Sequence, residues 1–324
     1  MNNIEVSIVI PIYNVEKYVR KTIESVQHQV FDAYEIILVD DGSKDNSSKI
    51  CDEYAANDNR IRVIHQPNGG VMSARFAGVD AAKGQYIAFL DGDDRMPPSA
   101  ISVMFTAIDG EHADMVKGAV VDITENGEPL SKVVMPGHEG IIEDNEMYRL
   151  WLTQHMGGMN IRMYRRDVLI QEPRIYIDPG IKNNEDYIFS LFIASKINKV
   201  VFVQDLVTQV VQHNDSVSHR AYDESYWCYF LSWYTDNYNK YDVHFRDYMF
   251  FKMRIIFCNL LLENADVNYK TNVFKDVREC KYSKFYGWKF NFAIFAVKHP
   301  YPCLLEIFRF RPRKILRNII RKVK

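Results

Sequence analysis

Cysteine is scarce in this chain of 324 residues: there are five, at Cys51, Cys228, Cys258, Cys280 and Cys303. The number is odd, no two form a C-x-x-C pair, and no histidines lie near them at zinc-ligand spacing. A disulfide framework and a structural zinc site are therefore excluded as organising devices, and buried reduced thiols are expected. No G-x-x-x-x-G-K-[ST] loop occurs, and no G-x-G-x-x-G follows the first apolar run. A nucleotide held here needs its phosphates neutralised by other means. No window reaches the roughly 18 apolar residues of a membrane span. The first residues run into a strand without a basic-then-apolar leader, which reads as a cytoplasmic protein. A basic face is also missing. Of the net charge of −2, residues 308–324 contribute eight basic side chains and no acid, so the body carries about −10. That argues against a nucleic-acid partner, and the short basic tail fits an anionic membrane surface better. With 47% hydrophobic and 25% charged residues, general disorder is excluded.

What is present alternates strand and helix. Residues 6–12 form an unbroken apolar run that ends at Tyr13-Asn14, as expected of a strand buried on both faces. Residues 16–29 carry a helical apolar stripe (Tyr18, Val19, Ile23, Val26). Strands are expected at 36–39, 61–64 and 86–90, with helices from about 46 and over 70–82 between them. This order implies right-handed crossovers and a mainly parallel, Rossmann-like α/β sheet flanked by helices. Beyond Pro98 the expected elements are a strand at 115–123, an Asn126-Gly127 turn with a partner strand at 130–135, helices at 143–154 and 185–195, and a strand at 200–211. After Arg220 the chain turns aromatic-rich and helix-compatible. The expected division is a catalytic domain over 1–220 and a mostly helical C-terminal extension over 221–324.

In an open parallel sheet, ligands bind outside the carboxyl ends of the strands. There the sequence places Tyr13-Asn14, Asp40-Asp41-Gly42-Ser43 and Asp91-Gly92-Asp93-Asp94. Turn formation alone explains any one of these clusters. Five carboxylates at one sheet mouth would repel each other, however, and a divalent cation relieves that repulsion. Mg2+ or Mn2+ bound by one or two carboxylates and a diphosphate is the natural substitute for the missing phosphate loop.

The segments 6–14, Val39-Asp40-Asp41-Gly42-Ser43, Asn68-Gly69-Gly70 through Ala74-Arg75, and 89–94 resemble glycosyltransferase family 2, strongly over about 4–98 and less so to about 220. The resemblance implies a GT-A fold, inverting transfer from a uridine diphosphate-sugar, and a Mn2+ or Mg2+ cofactor. By the same match, Pro11, Tyr13 and Asp41 surround the nucleobase, with Asp40 beside them and Tyr13 stacking. Arg75 lies by the nucleotide or diphosphate, Asp91 by the ribose and sugar, and Asp93 on the metal, with Asp91 and His213 as further metal candidates. Phe76 departs from the family, which often has Asn there. Asn183-Asn184-Glu185-Asp186-Tyr187 resembles the family's Glu-Asp motif, which makes Asp186 the catalytic base and Glu185 its understudy; an acid-enriched helix N-terminus is the bland reading. His213 with Ser216 and Ser218 falls where relatives cover the diphosphate, or is a satisfied surface histidine. Arg162 falls where relatives often carry a basic residue that faces phosphate, but reads best as a solvent-exposed arginine. The implied partners are a nucleotide-sugar donor and a glycan or lipid-linked glycan acceptor of the bacterial surface.

Two other classes fit less well. A sugar nucleotidyltransferase would want a Gly-rich basic loop where Pro11-Ile12-Tyr13-Asn14 stands. A degenerate, non-catalytic sugar-nucleotide binder would have lost the Asp-x-Asp or Glu-Asp residues, which are all present. In the tail, Ile315, Leu316, Ile319, Ile320 and Val323 recur at helical spacing between Lys314, Arg317, Arg321 and Lys322. That is the pattern of a helix lying flat in a membrane interface, with a packed helix as the alternative.

Overall fold

The computed structural model describes residues 4–143, 158–182 and 185–213, together with Tyr226, Tyr229 and Trp233; Tyr187 and Leu191 are described by backbone alone. The chain divides into two compact units, Met1–Arg220 and Ala221–Lys324, and all that follows concerns the first.

Four strands form the parallel half of the sheet: β1 (Val6–Ile12), β2 (Tyr34–Asp40), β3 (Ile61–His65) and β4 (Tyr86–Phe89). Every residue of β1, β2 and β4 is buried, because helices cover both sheet faces. Ile8, Ile10, Ile36 and Leu38 anchor the resulting core; fully burying each such side chain stabilises the fold by about 1.5–3 kcal/mol. The intervening helices are α1 (Val19–Gln27), α2 (Ser47–Asn57) and α3 (Val71–Ala81). On α1 the residues Val19, Thr22, Ile23 and Val26 face inward, one turn apart.

Strand order across the whole sheet is β3-β2-β1-β4-β7-β5-β8-β6. The added elements are α4 (Ala100–Gly110), β5 (Met115–Ile123), β6 (Gly140–Ile142), β7 (Arg162–Arg165), α5 (Arg166–Ile170), α6 (Glu185–Ala194) and β8 (Val200–Val211). Parallel pairing holds for β1 with β2, β1 with β4, β2 with β3, and β5 with β8. β7 runs antiparallel to both β4 and β5, and β6 is antiparallel to β8. The sheet is therefore mixed beyond β4, while its first half is wholly parallel.

The chain leaves β1 toward β2 and β3, then returns to lay β4 on the other side of β1. That reversal opens a crevice outside the carboxyl ends of β1 and β4, where open α/β sheets bind ligands. Tyr13 follows β1 and Asp91 follows β4, so both sit at its mouth. The expected partner strand at 130–135 is not a ladder strand: single bridges tie Val134 to Val120 and Pro129 to Ile123. The helix expected at 143–154 falls almost wholly outside the described residues. Cys51 is buried and free; burial, helped by nearby Asp40 and Asp52, pushes its thiol up to about 12, so it stays protonated and inert. The other four cysteines lie outside the described residues. Among the described residues no helix is long and apolar enough to cross a membrane.

Candidate active site

Past β4, Asp91, Gly92, Asp93 and Asp94 turn sharply, closed by the Asp94 N–H on the Asp91 carbonyl at 3.0 Å. Gly92 is demanded by space. A Cβ there would lie 2.9 Å from the Pro11 carbonyl oxygen and 3.0 Å from Ile12 Cδ1, so only glycine lets this turn press against the end of β1.

The turn sends its three acids to separate partners. Asp94 is buried and belongs to the framework, accepting from Asn160 Nδ2 at 2.6 Å and the Val211 N–H at 3.0 Å. Its burial, reinforced by the charges of Asp93 and Asp91, raises its carboxyl well above the ordinary range. Asp93 Oδ2 lies 3.0 Å from His213 Nε2, and the His213 ring stacks on Tyr18 at 4.2 Å between centroids. His213 is buried, so the surface reading of that residue is corrected; Ser216 and Ser218 lie outside the described residues. Asp91 Oδ1 accepts from Arg75 Nη2 at 2.7 Å.

Arg75, on α3, is only 2% exposed. Its other arm, Nη1, donates to Asp186 Oδ1 at 2.5 Å. Burial alone would lower the guanidinium's affinity for its proton, but Asp186 and Asp91, with Glu185, outweigh it and the group is held charged. Asp186 opens α6, where the helix dipole favours an acid, and its Oδ2 accepts the Met159 N–H at a long 3.3 Å. The first turn of α6 is braced from behind by Arg162. That residue is 1% exposed, not on the surface, because β7 is an interior strand. Arg162 Nη1 donates to Ser190 Oγ at 2.6 Å, and Ser190 Oγ donates to the Asp186 carbonyl at 2.6 Å. Glu185 stands beside them. Burial, then the Asp186 charge, push its carboxyl up to about 7 against the pull of Arg75. Its Oε2 is covered and has no hydrogen-bond partner among the described residues.

The acids after β2 serve differently. Asp41 is buried and accepts from Gln66 Nε2 at 2.7 Å, the Gly69 N–H at 2.8 Å and the Gly70 N–H at 2.8 Å. It thus ties β2 to the start of α3, where Gly70 caps the helix at a φ of 85° that favours glycine. Asp40 is buried too, accepting from the Ser43 N–H at 3.0 Å and lying 3.1 Å from His65 Nδ1. Pro11 is buried within β1, whereas Tyr13 is 44% exposed and offers an open ring at the crevice. Of the five carboxylates read at the mouth, Asp91 and Asp93 are the two that stay partly exposed. Phe76 packs edge-on against Phe189 of α6 at 6.0 Å, so an apolar contact occupies the place of the family's Asn.

Among the described residues, no three or more His, Cys, Asp and Glu side chains form a ready-made metal cage. The donor set nevertheless fits a hard divalent ion that takes only part of its shell from protein. Asp91 and Asp93 are partly exposed, His213 stands against Asp93, and its buried Nδ1 has no partner among the described residues. Mg2+ and Mn2+ characteristically take one or two carboxylates and complete the shell with phosphate oxygens and water. Tyr18 and Asn160 were not legible as site residues. They act on groups 195 and 66 positions apart from them along the chain, respectively His213 and Asp94, and no local motif marks such pairs.

The sequence profile described as Glycosyl transferase family 2 matches residues 7–171. Glycosyltransferase GlyG of Streptococcus pneumoniae serotype 4 is 42% identical over 122 residues, 37% of this chain and 40% of that protein. The minor teichoic acid biosynthesis protein GgaB of Bacillus subtilis is 40% identical over 124 residues, 37% of this chain and 14% of that protein. The chain thus spans less than half the length of either relative. Among solved structures, S. aureus TarS 1-349 in complex with UDP-GlcNAc matches with a TM-score of 0.61 and 18% identity. The match covers 84% of this chain and 78% of that one.

Proposed function

The chain belongs to glycosyl transferase family 2 and has the GT-A fold, and from that premise we propose that it moves a sugar from a uridine diphosphate-sugar onto an acceptor hydroxyl, inverting the anomeric centre. The observation that carries this reading is the bridge from Asp91 through Arg75 to Asp186. It brings an acid of the Asp-x-Asp turn and an acid of the late helix to one crevice. The exposed Tyr13 ring and the complex of TarS with UDP-GlcNAc support a uridine donor. GgaB, by its name a teichoic acid biosynthesis protein, supports a glycan or lipid-linked glycan of the cell surface as acceptor.

In an inverting transfer the acceptor oxygen bonds to the anomeric carbon as the bond to the diphosphate breaks, and a base takes the hydroxyl proton. Asp186 has that role in this reading. Arg75 occupies its Oδ1, while among the described residues Oδ2 carries the long Met159 bond alone, which supports its taking a hydroxyl proton. Its side chain is 26% exposed, whereas Glu185 Oε2 is covered. Glu185 is the second reading, since a carboxyl near 7 is well matched to base catalysis at neutral pH. Reach supports Asp186 over Glu185. Asp93, with Asp91 and His213, would hold Mn2+ or Mg2+, which when bound neutralises the departing diphosphate. The test is a panel of UDP-glucose, UDP-galactose and UDP-GlcNAc, assayed for transfer and hydrolysis with the parent chain, Asp186→Asn and Glu185→Gln. Asp186→Asn lowers turnover by roughly a hundredfold with donor affinity almost unchanged. Greater damage from Glu185→Gln reverses the two roles, and a parent chain that binds UDP yet consumes no donor makes the protein a binding module.

A further inference from the structure

Arg75 is built as a bridge rather than as a phosphate ligand. It is almost wholly buried, with its two arms on two acids that lie 16 and 111 residues away in sequence. The sulfurs of Met72 and Met159 close over Nη1 at 3.5 and 3.4 Å. Its Nε is covered and has no partner among the described residues. Tyr164, also buried, and Glu185 are the other ionisable groups that feel its charge. A diphosphate would reach this buried fork only by displacing a carboxylate, which would leave that acid without its counter-charge.

We infer that Arg75 is a positioning residue for the transfer step: it ties Asp91 to Asp186 and thereby fixes the Asp186 carboxylate for proton transfer. The inference rests on Asp186 being the base. Among the described residues the other hydrogen bond to the Asp186 side chain is the long one from Met159, so Arg75 is the main hold on its direction at the head of α6. A planar fork can hold two carboxylates at once in fixed directions, and a lysine ammonium on a flexible stem does not reproduce that geometry. A small misplacement of a catalytic group costs rate while leaving substrate binding alone.

The experiment uses the full chain as parent, Arg75→Lys, Asp186→Asn and the double variant. Hydrolysis of the UDP-sugar selected by the panel gives kcat and KM, and calorimetry gives the affinity for UDP. Arg75→Lys is expected to lower kcat by about tenfold or more while UDP affinity stays within about threefold. The double variant should turn over no more slowly than Asp186→Asn, because residues that act as one unit give non-additive losses. If Arg75→Lys melts, Arg75→Gln replaces it, since its amide reaches only one of the two acids. Loss of UDP affinity as large as the loss in kcat, or losses that multiply in the double variant, overturn the inference. A fully active Asp186→Asn instead overturns the base assignment on which it stands, a failure distinct from the other two.

Discussion

His65 places Nδ1 3.1 Å from Asp40 and Nε2 3.1 Å from Asp52, at the end of β3. The hydrogen bond to Asp40 raises the imidazole above its ordinary value of 6.5, against the opposing effect of burial. Burial pushes Asp40 up, but the bonds from Ser43 and His65 outweigh it and hold the carboxyl below 3.8. The His65 contribution is complete below pH 6.5 and is lost as pH rises through its raised value. The Asp40 contribution is complete above 3.8 and is lost as pH falls through its lowered value. Both are present near pH 5. His65 is 47% exposed, so solvent screening keeps the gain below about 1 kcal/mol. His65→Gln should therefore lower the melting temperature at pH 5 and leave most of it intact at pH 9; equal losses at both would refute the ion pair. Sequence alone pointed to Asp40 and Asp41 as ligand-facing acids because their position at a strand end is all that a sequence shows. What the sequence does not show is that their carboxylates also lie within hydrogen-bonding distance of Ser43, His65, Gln66, Gly69 and Gly70. Motif order marks Asp93, Asp186 and Arg75 in the sequence, but not the bridge that joins Arg75 to Asp186.

At the scale of elements, legibility followed the period of the apolar pattern. β1, β2 and β4 are buried on both faces and read as continuous apolar runs. β5 and β8 were found with the same ends as expected. α4 carries the stripe Ile101, Met104 and Ile108, yet Pro97-Pro98 just before it masks its start. β7 was unreadable for a different reason. It is four residues long, two of them arginines, and Arg162 is carried inside by Ser190 and Tyr164 rather than by any apolar pattern. The run 130–135 has the β-branched, apolar residues of a strand at Val133 and Val134 but lies between Pro129 and Pro136, which cannot donate to a ladder. Only single bridges to β5 form there. Phe76 shows an element-level constraint replacing a motif residue, because the contact with Phe189 packs α3 on α6.

For the whole molecule, charge divides as the sequence indicated: an acidic body and a basic end over 308–324. That end lies outside the described residues, and its membrane role is a proposal from pattern alone. Each basic residue near an anionic surface adds on the order of 1 kcal/mol, so several together with an apolar stripe hold a protein reversibly. Removing 308–324 should release the chain from anionic vesicles in co-sedimentation while donor hydrolysis continues. Equal binding of the intact chain to neutral vesicles, or none to either, contradicts this.

The central claim is that a uridine diphosphate is held at the Asp-x-Asp turn through a divalent ion on Asp93. Calorimetry of UDP binding to the full chain, with Mn2+ and with excess chelator, for the parent and for Asp93→Ala, measures it directly. The account predicts that the parent binds UDP with Mn2+ and loses at least about tenfold in affinity, near 1.4 kcal/mol, when the metal is removed. Asp93→Ala should show the weak value under both conditions. Equal UDP affinity of the parent chain with and without the metal would contradict it.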